Sequence, residues 1–165
     1  MKKILLSLVF ATSIFTVQAQ TKVTKNAIIG KWEFAAMNVD AMLYYDIEKD
    51  SISLSPAILT QLASSGADSA SAAEMMKGQF AALKEVLFVF NADGTYTITG
   101  SGDKGGGDES GTFTVDEATQ TIFMTNKKKG EKKDIKASFI KERLALGMPA
   151  DSGPKSTLEF KKGKD

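Results

Sequence analysis

The feature that most constrains this chain is a change of period. From Val86 onward, apolar residues stop recurring at helical spacing and begin to alternate, in short runs separated by turn residues. The runs are VLFVF (86–90), TYTIT (95–99), GTFTV (111–115), TIFMT (121–125), DIKASFI (134–140), RLALG (143–147) and STLEFKK (156–162). A period of two sends alternate side chains to one face of a sheet. It pairs Tyr96 with Ile98, Phe113 with Val115, Ile122 with Met124 and Leu158 with Phe160. An earlier run, Ile28 to Met37, alternates Trp32 and Phe34 with Lys31 and Glu33. Gly30 interrupts it, where a bend or a second backbone is expected to come close. The total is about eight short strands, the pattern of an antiparallel sandwich or barrel.

Between the first strand and the others the period is helical. Ser55 and Pro56 suit an N-cap and the first helical position, and Ile58, Leu59 and Leu62 follow at helical spacing. Ser71 and Glu74 have the spacing of a capping box. Met76, Phe80, Leu83 and Leu87 then fall on one stripe. The expectation is a helical pair over about residues 55–85. Residues 38–54, with Leu43, Tyr44, Tyr45 and Ile47, fit either a strand or a loosely packed turn.

The N-terminus reads as an export signal. Two lysines precede an apolar run from Ile4 to Val17, which ends at Val17-Gln18-Ala19, close to a small-residue cleavage pattern. The run is short for a bilayer span, which needs about 20 apolar residues. The expected organisation is a signal peptide over 1–19, a polar lead-in over 20–27 and one domain over 28–162. The chain has no cysteine, which excludes both disulfides and a lipidated cysteine at the junction. A periplasmic or secreted protein is expected, with no integral membrane segment after cleavage. Formal net charge is +1, without the basic excess of a nucleic-acid binder.

Few residues offer chemistry. Histidine and cysteine are both absent, so the usual nucleophile–base pairs and zinc sites have no ligands. No carboxylate pair is recognisable against an apolar wall. We therefore expect no enzyme, no catalytic residue, no metal and no cofactor. Asn91-Ala92-Asp93-Gly94 resembles part of a calcium loop, but with Gly94 in the glycine position the first ligand would be Val89 and the closing Glu would be Gly100. A hairpin turn explains every letter, with Gly94 supplying a positive φ. The Gly-rich stretch 100–111 lacks the Gly-Lys-Ser/Thr of a phosphate loop and reads as a long hairpin loop. Lys127 to Lys133 reads as a solvated basic tip. Six methionines follow the signal, better understood as core filler than as copper ligands.

The ordered set of Gly30-Lys31-Trp32 on a first strand, FNADGTYTITG, SGTFTVDEATQTIFMT, FIKERLALG and STLEFKK resembles bacterial secreted lipocalin-like domain proteins. The resemblance spans roughly residues 28–162. It implies an up-and-down antiparallel β-barrel with Trp32 at the closed end. Typical lipocalins place an arginine over this tryptophan. The single arginine here is Arg143, so Lys161 or Lys162 would have to substitute.

The expected fold is therefore mainly β: an up-and-down barrel of about eight strands with a helical pair inserted after the first. A barrel of that size is either filled by side chains or holds one small ligand. If it binds a small hydrophobic molecule, the expected wall is Phe88, Phe90, Tyr96, Ile98, Phe113, Val115 and Met124, with Met76 and Phe80 as a lid. Trp32, Gly30 and Gly94 would be structural. The alternative is a filled barrel acting as a non-catalytic envelope interaction module. An interior with no cavity above about 300 Å3, the small end of ligand pockets, would favour that alternative.

Overall fold

The computed structural model describes residues 21–100, 108–148 and 155–164. The expected signal peptide and most of the Gly-rich stretch lie outside the described residues. The strands are β1 (Gly30–Val39), β2 (Leu43–Asp46), β3 (Ser51–Leu54), β4 (Leu87–Phe90), β5 (Thr95–Thr99), β6 (Glu109–Asp116), β7 (Thr121–Asn126), β8 (Lys132–Ile140), β9 (Arg143–Met148) and β10 (Ser156–Lys162). All neighbours are antiparallel. β4 to β10 pair in sequence order, and β1 joins β4 on one side and β10 on the other. Eight strands thus close into a barrel, which leaves no free edge among them.

β1 is long enough to have two partners on one side. Its first half pairs with β4, from Gly30 opposite Phe90 to Glu33 opposite Leu87. A bulge between Phe34 and Ala36 shifts its register against β10. Its second half then pairs with β2, from Ala36 opposite Asp46 to Val39 opposite Leu43. The hairpin of β2 and β3 therefore occupies the side of β1 that β4 has left. This is the arrangement of residues 38–54, for which the sequence supported no single reading.

The helical insert bridges the end of that hairpin and the start of β4. α1 (Lys25–Ile28) precedes it in the lead-in. α2 (Pro56–Ser64) begins at Ser55, whose hydroxyl accepts from the Ile58 N–H. α3 (Ser69–Phe80) is capped by Asp68, whose carboxylate accepts from the Ser71 N–H at 2.8 Å. The expected Ser71–Glu74 box is thus displaced by one turn, because Asp68 is the stronger acceptor. A 3-10 turn over Ala81–Glu85 follows. It ends the helix before Leu87, which opens β4 instead of extending the helical stripe.

The core lies inside the barrel and has two levels. At one end Trp32 is buried against Phe139, with ring centroids 5.9 Å apart, and its indole N–H donates to the Ile28 carbonyl at 2.6 Å. The lead-in seals this end. Val23 and Ile28 are fully buried, and Gln120 exchanges hydrogen bonds with the Val23 backbone. The expected polar lead-in is therefore part of the packed structure. Next comes a layer of edge-to-face aromatic pairs: Phe88 with Phe160 and Phe90 with Phe113, each at 4.9 Å. Such pairs add about 0.5–1.5 kcal/mol beyond area burial.

The turn at Asn91–Gly94 is a hairpin corner between β4 and β5. Asp93 Oδ1 accepts from both the N–H and the hydroxyl of Thr95, at 2.9 and 2.7 Å. Those bonds, the hydroxyl first, hold its carboxyl below the ordinary range. Gly94 has φ of 89°, a conformation that only glycine adopts without cost.

Candidate functional site

At the opposite end the described residues leave an opening. An apolar cavity of about 270 Å3 lies where β1 changes partner, between Phe34 at the bulge, Val86 and Leu83 of the helical insert, and Phe88, Ile98, Met124, Ile135, Leu146, Met148 and Leu158 of the barrel wall. Two charged residues complete its lining, Glu109 and Lys133.

Register puts both of these on the inward face at the rim, where Glu109 is half-buried and Lys133 is exposed. Glu109 pairs with Ile98 across β5 and β6, and Lys133 pairs with Met124 across β7 and β8. Paired residues project to the same face. Glu109 therefore continues the inward row of Gly111 and Phe113, and Lys133 that of Ile135 and Ala137. Glu109 opens β6, and Lys133 is the second residue of β8. Lys133 is exposed, as expected of a solvated tip, but it belongs to β8: the turn is 127–130, and β8 has begun by Lys132.

Tyr96 fixes the carboxylate. Its ring is 1% exposed, and its hydroxyl donates to Glu109 Oε1 at 2.9 Å. Gly111 makes room for this. A β-carbon there would stand 2.8 Å from the Tyr96 ring and closer still to the Thr125 carbonyl. Lys133 Nζ lies 3.6 Å from Glu109 Oε2, an ion pair longer than a good hydrogen bond. Burial, then the bond to Glu109 and its charge, push the Tyr96 hydroxyl well above its ordinary pKa.

Of the residues expected to form a ligand wall, Phe88, Ile98 and Met124 line this cavity. Phe90 and Phe113 pack on each other in the aromatic layer below, and Val115 is half-buried against the core. Tyr96 touches the site through Glu109. Phe80 stacks on Tyr45 at 5.7 Å, beneath the β2–β3 hairpin, and Met76 is half-buried on α3. Leu83 and Val86 cover the cavity instead.

A second polar cluster lies on the outer face. Arg143 projects from β9 towards Glu48 at 2.7 Å, Glu159 at 3.2 Å and Asp46 at 3.6 Å, with the Tyr44 hydroxyl at 3.5 Å. Lys161 shares Glu48 at 3.1 Å. Hydrogen bonds from Lys161 first, and then from Arg143, hold the Glu48 carboxyl below its ordinary range. The cluster ties the β2 hairpin to β9 and β10. Among the described residues no group of three or more carboxylates is placed to hold a metal, and no helix is long and apolar enough to cross a membrane.

Fold and site together define a closed eight-stranded antiparallel barrel, sealed at one end and holding a small apolar cavity under a helical cover at the other. A crystal structure of a DUF4847 family protein from Bacteroides vulgatus ATCC 8482 is similar, with a TM-score of 0.48 and 13% identity over 82% of this chain and 94% of that one. No family model and no curated protein matches the chain.

Proposed function

We propose that this chain is an exported, lipocalin-like and non-catalytic barrel that binds one small hydrophobic molecule in the cavity between Phe34, Val86 and Glu109. The observation that carries this reading is an apolar void with a single charged pair at one side, the usual anatomy of a ligand pocket. The cavity is small, so the ligand is small.

The second reading is a filled barrel that acts as an envelope interaction module. Two observations favour it: the cavity falls just under the roughly 300 Å3 at which ligand pockets begin, and the aromatic layer fills the barrel below it.

Native mass spectrometry of the exported protein separates the two. Copurifying mass that is lost on denaturation supports the carrier. A clean apo mass, with no change in Trp32 or tyrosine fluorescence across a panel of fatty acids and terpenoids, supports the filled barrel.

A further inference from the structure

The Glu109–Lys133 pair is not needed to hold the barrel closed, since ladders on both sides of β6 and β8 already do so. The pair stands at the rim of an otherwise apolar wall, with the Glu109 side chain 20% exposed, the Lys133 side chain 44% exposed, and the two charges 3.6 Å apart. Of the two carboxylate oxygens, Oε1 accepts from Tyr96. Among the described residues, Oε2 meets only the long contact with Lys133.

We propose that Glu109, held by Tyr96, and Lys133 together select neutral ligands that carry a hydroxyl or similar donor–acceptor head, and reject carboxylates of the same length. The inference rests on the reading that the cavity takes a ligand. A hydroxyl can donate to Glu109 Oε2 and accept from Lys133 Nζ, so it satisfies both groups at once. The pair is neutral in sum, and a neutral head keeps it so. A carboxylate head could accept from Lys133, but it would then lie within a few ångströms of the fixed Glu109 charge. Like charges at that distance repel, and beside the half-buried Glu109 they are screened less than in bulk water. Glu109 cannot swing away without giving up the Tyr96 hydroxyl, which is buried and would lose its acceptor.

The test uses the mature chain, labelled at isoleucine and methionine methyls, titrated with octanol and with octanoate at neutral pH. The Ile98, Met124 and Ile135 methyls line the cavity and report occupancy. Octanol is expected to bind at least about tenfold more tightly than octanoate, the step that one unit charge contact readily supplies. Desolvation of octanoate contributes to that ratio in any protein, so the decisive reading is its change on substitution. Glu109→Gln, which keeps shape and removes charge, should improve octanoate and narrow the ratio by about tenfold. Lys133→Met should weaken octanoate further and widen it. Octanoate binding as tightly as octanol, or an unchanged ratio in Glu109→Gln, overturns the selectivity and leaves the carrier reading standing. If neither probe moves these methyls, the carrier reading fails and this inference falls with it.

Discussion

Lys162 lies over Trp32. The two are paired across β1 and β10, the ammonium is 4.6 Å from the indole centroid, and the same ammonium donates to the Ile29 carbonyl. Gly30 lies directly beneath the lysine. A cation–π contact contributes about 0.5–2 kcal/mol, depending on exposure, and here it also closes the sealed end of the barrel. Lys162→Met should lower stability by about 1–2 kcal/mol and shift Trp32 emission. Trp32→Ala should cost about 3–5 kcal/mol. Both are measured by chemical unfolding, and a Trp32→Ala protein as stable as the parent would contradict the core placement.

Arg143 is mostly buried among Asp46, Glu48 and Glu159. Asp46 and Glu159 are themselves buried. Removing the cation takes from buried Glu159 its charged partner and leaves buried Asp46 the longer Lys49 contact and two backbone amides, while Glu48 keeps Lys161. Arg143→Met should therefore cost about 3 kcal/mol near neutral pH. The loss should shrink in acid. Glu48, whose pKa is depressed in the fold, contributes stability that is present above its ordinary pKa and is lost as pH falls through the folded value. Lys161, the larger cause of that shift, remains in the variant, so the two unfolding curves should draw only partly together as pH falls below the ordinary glutamate value of about 4.3; a gap that widens in acid would count against the cluster.

The sequence made the barrel legible because β4, β5, β6 and β8 alternate and Trp32, Phe113 and Phe160 mark the inward rows. It hid the cavity's polar side for the opposite reason. Glu109 adjoins a Gly-rich stretch and Lys133 a lysine run, so local composition masks the inward parity of each. Continuing the inward parity back from Phe113 through Gly111, and from Ile135, reaches both residues. The β2–β3 hairpin was hidden by its turns. Asp40 and Ala41 have φ of 45° and 56°, and Asp50 has φ of 44°, so none of these corners carries the glycine that announces a positive φ. The short run of the cavity wall contributed by Leu83 and Val86 was obscured where a helical stripe passes into a strand through a 3-10 turn.

The corner at Gly94 offers a direct check of local strain. A branched residue at φ of 89° is disfavoured by its own backbone, so Gly94→Val should cost more than about 1 kcal/mol in unfolding experiments. Added calcium should restore nothing, since Asp93 already spends its oxygen on Thr95. Rescue by millimolar calcium would revive the metal reading of this loop.

The β8–β9 turn should be improvable. Ile140 pairs with Arg143, and the two residues between, Lys141 and Glu142, have φ of 48° and 68°. Two consecutive positive φ values define the turn for which Asn-Gly is the preferred pair. Replacing Lys141 by Asn and Glu142 by Gly should raise stability by about 1–2 kcal/mol, because a non-glycine residue in this region costs about 1–2 kcal/mol. A double substitution that lowers the unfolding midpoint would show that these side chains hold something the turn geometry does not reveal.

Tyr96 gives the barrel an alkaline limit. An unperturbed tyrosine loses its proton near pH 10. Burial first, and then the acceptor Glu109, keep the proton on the folded chain to higher pH. Below pH 10 both states hold it, so this group adds no pH dependence to stability there. Above pH 10 the unfolded chain releases the proton while the folded chain does not, and stability falls by up to about 1.4 kcal/mol per pH unit for this one proton. Tyr44 is shifted in the same direction, so the parent should show a compound slope. Tyr96→Phe should be less stable at neutral pH by about 1–3 kcal/mol, because Glu109 loses its donor. It should also lose about one proton's worth of alkaline slope. Urea unfolding at intervals from pH 8 to pH 11 measures both quantities. A variant whose curve stays parallel to the parent through that range would place the Tyr96 proton outside the coupling with Glu109, and would leave that carboxylate free to turn within the cavity.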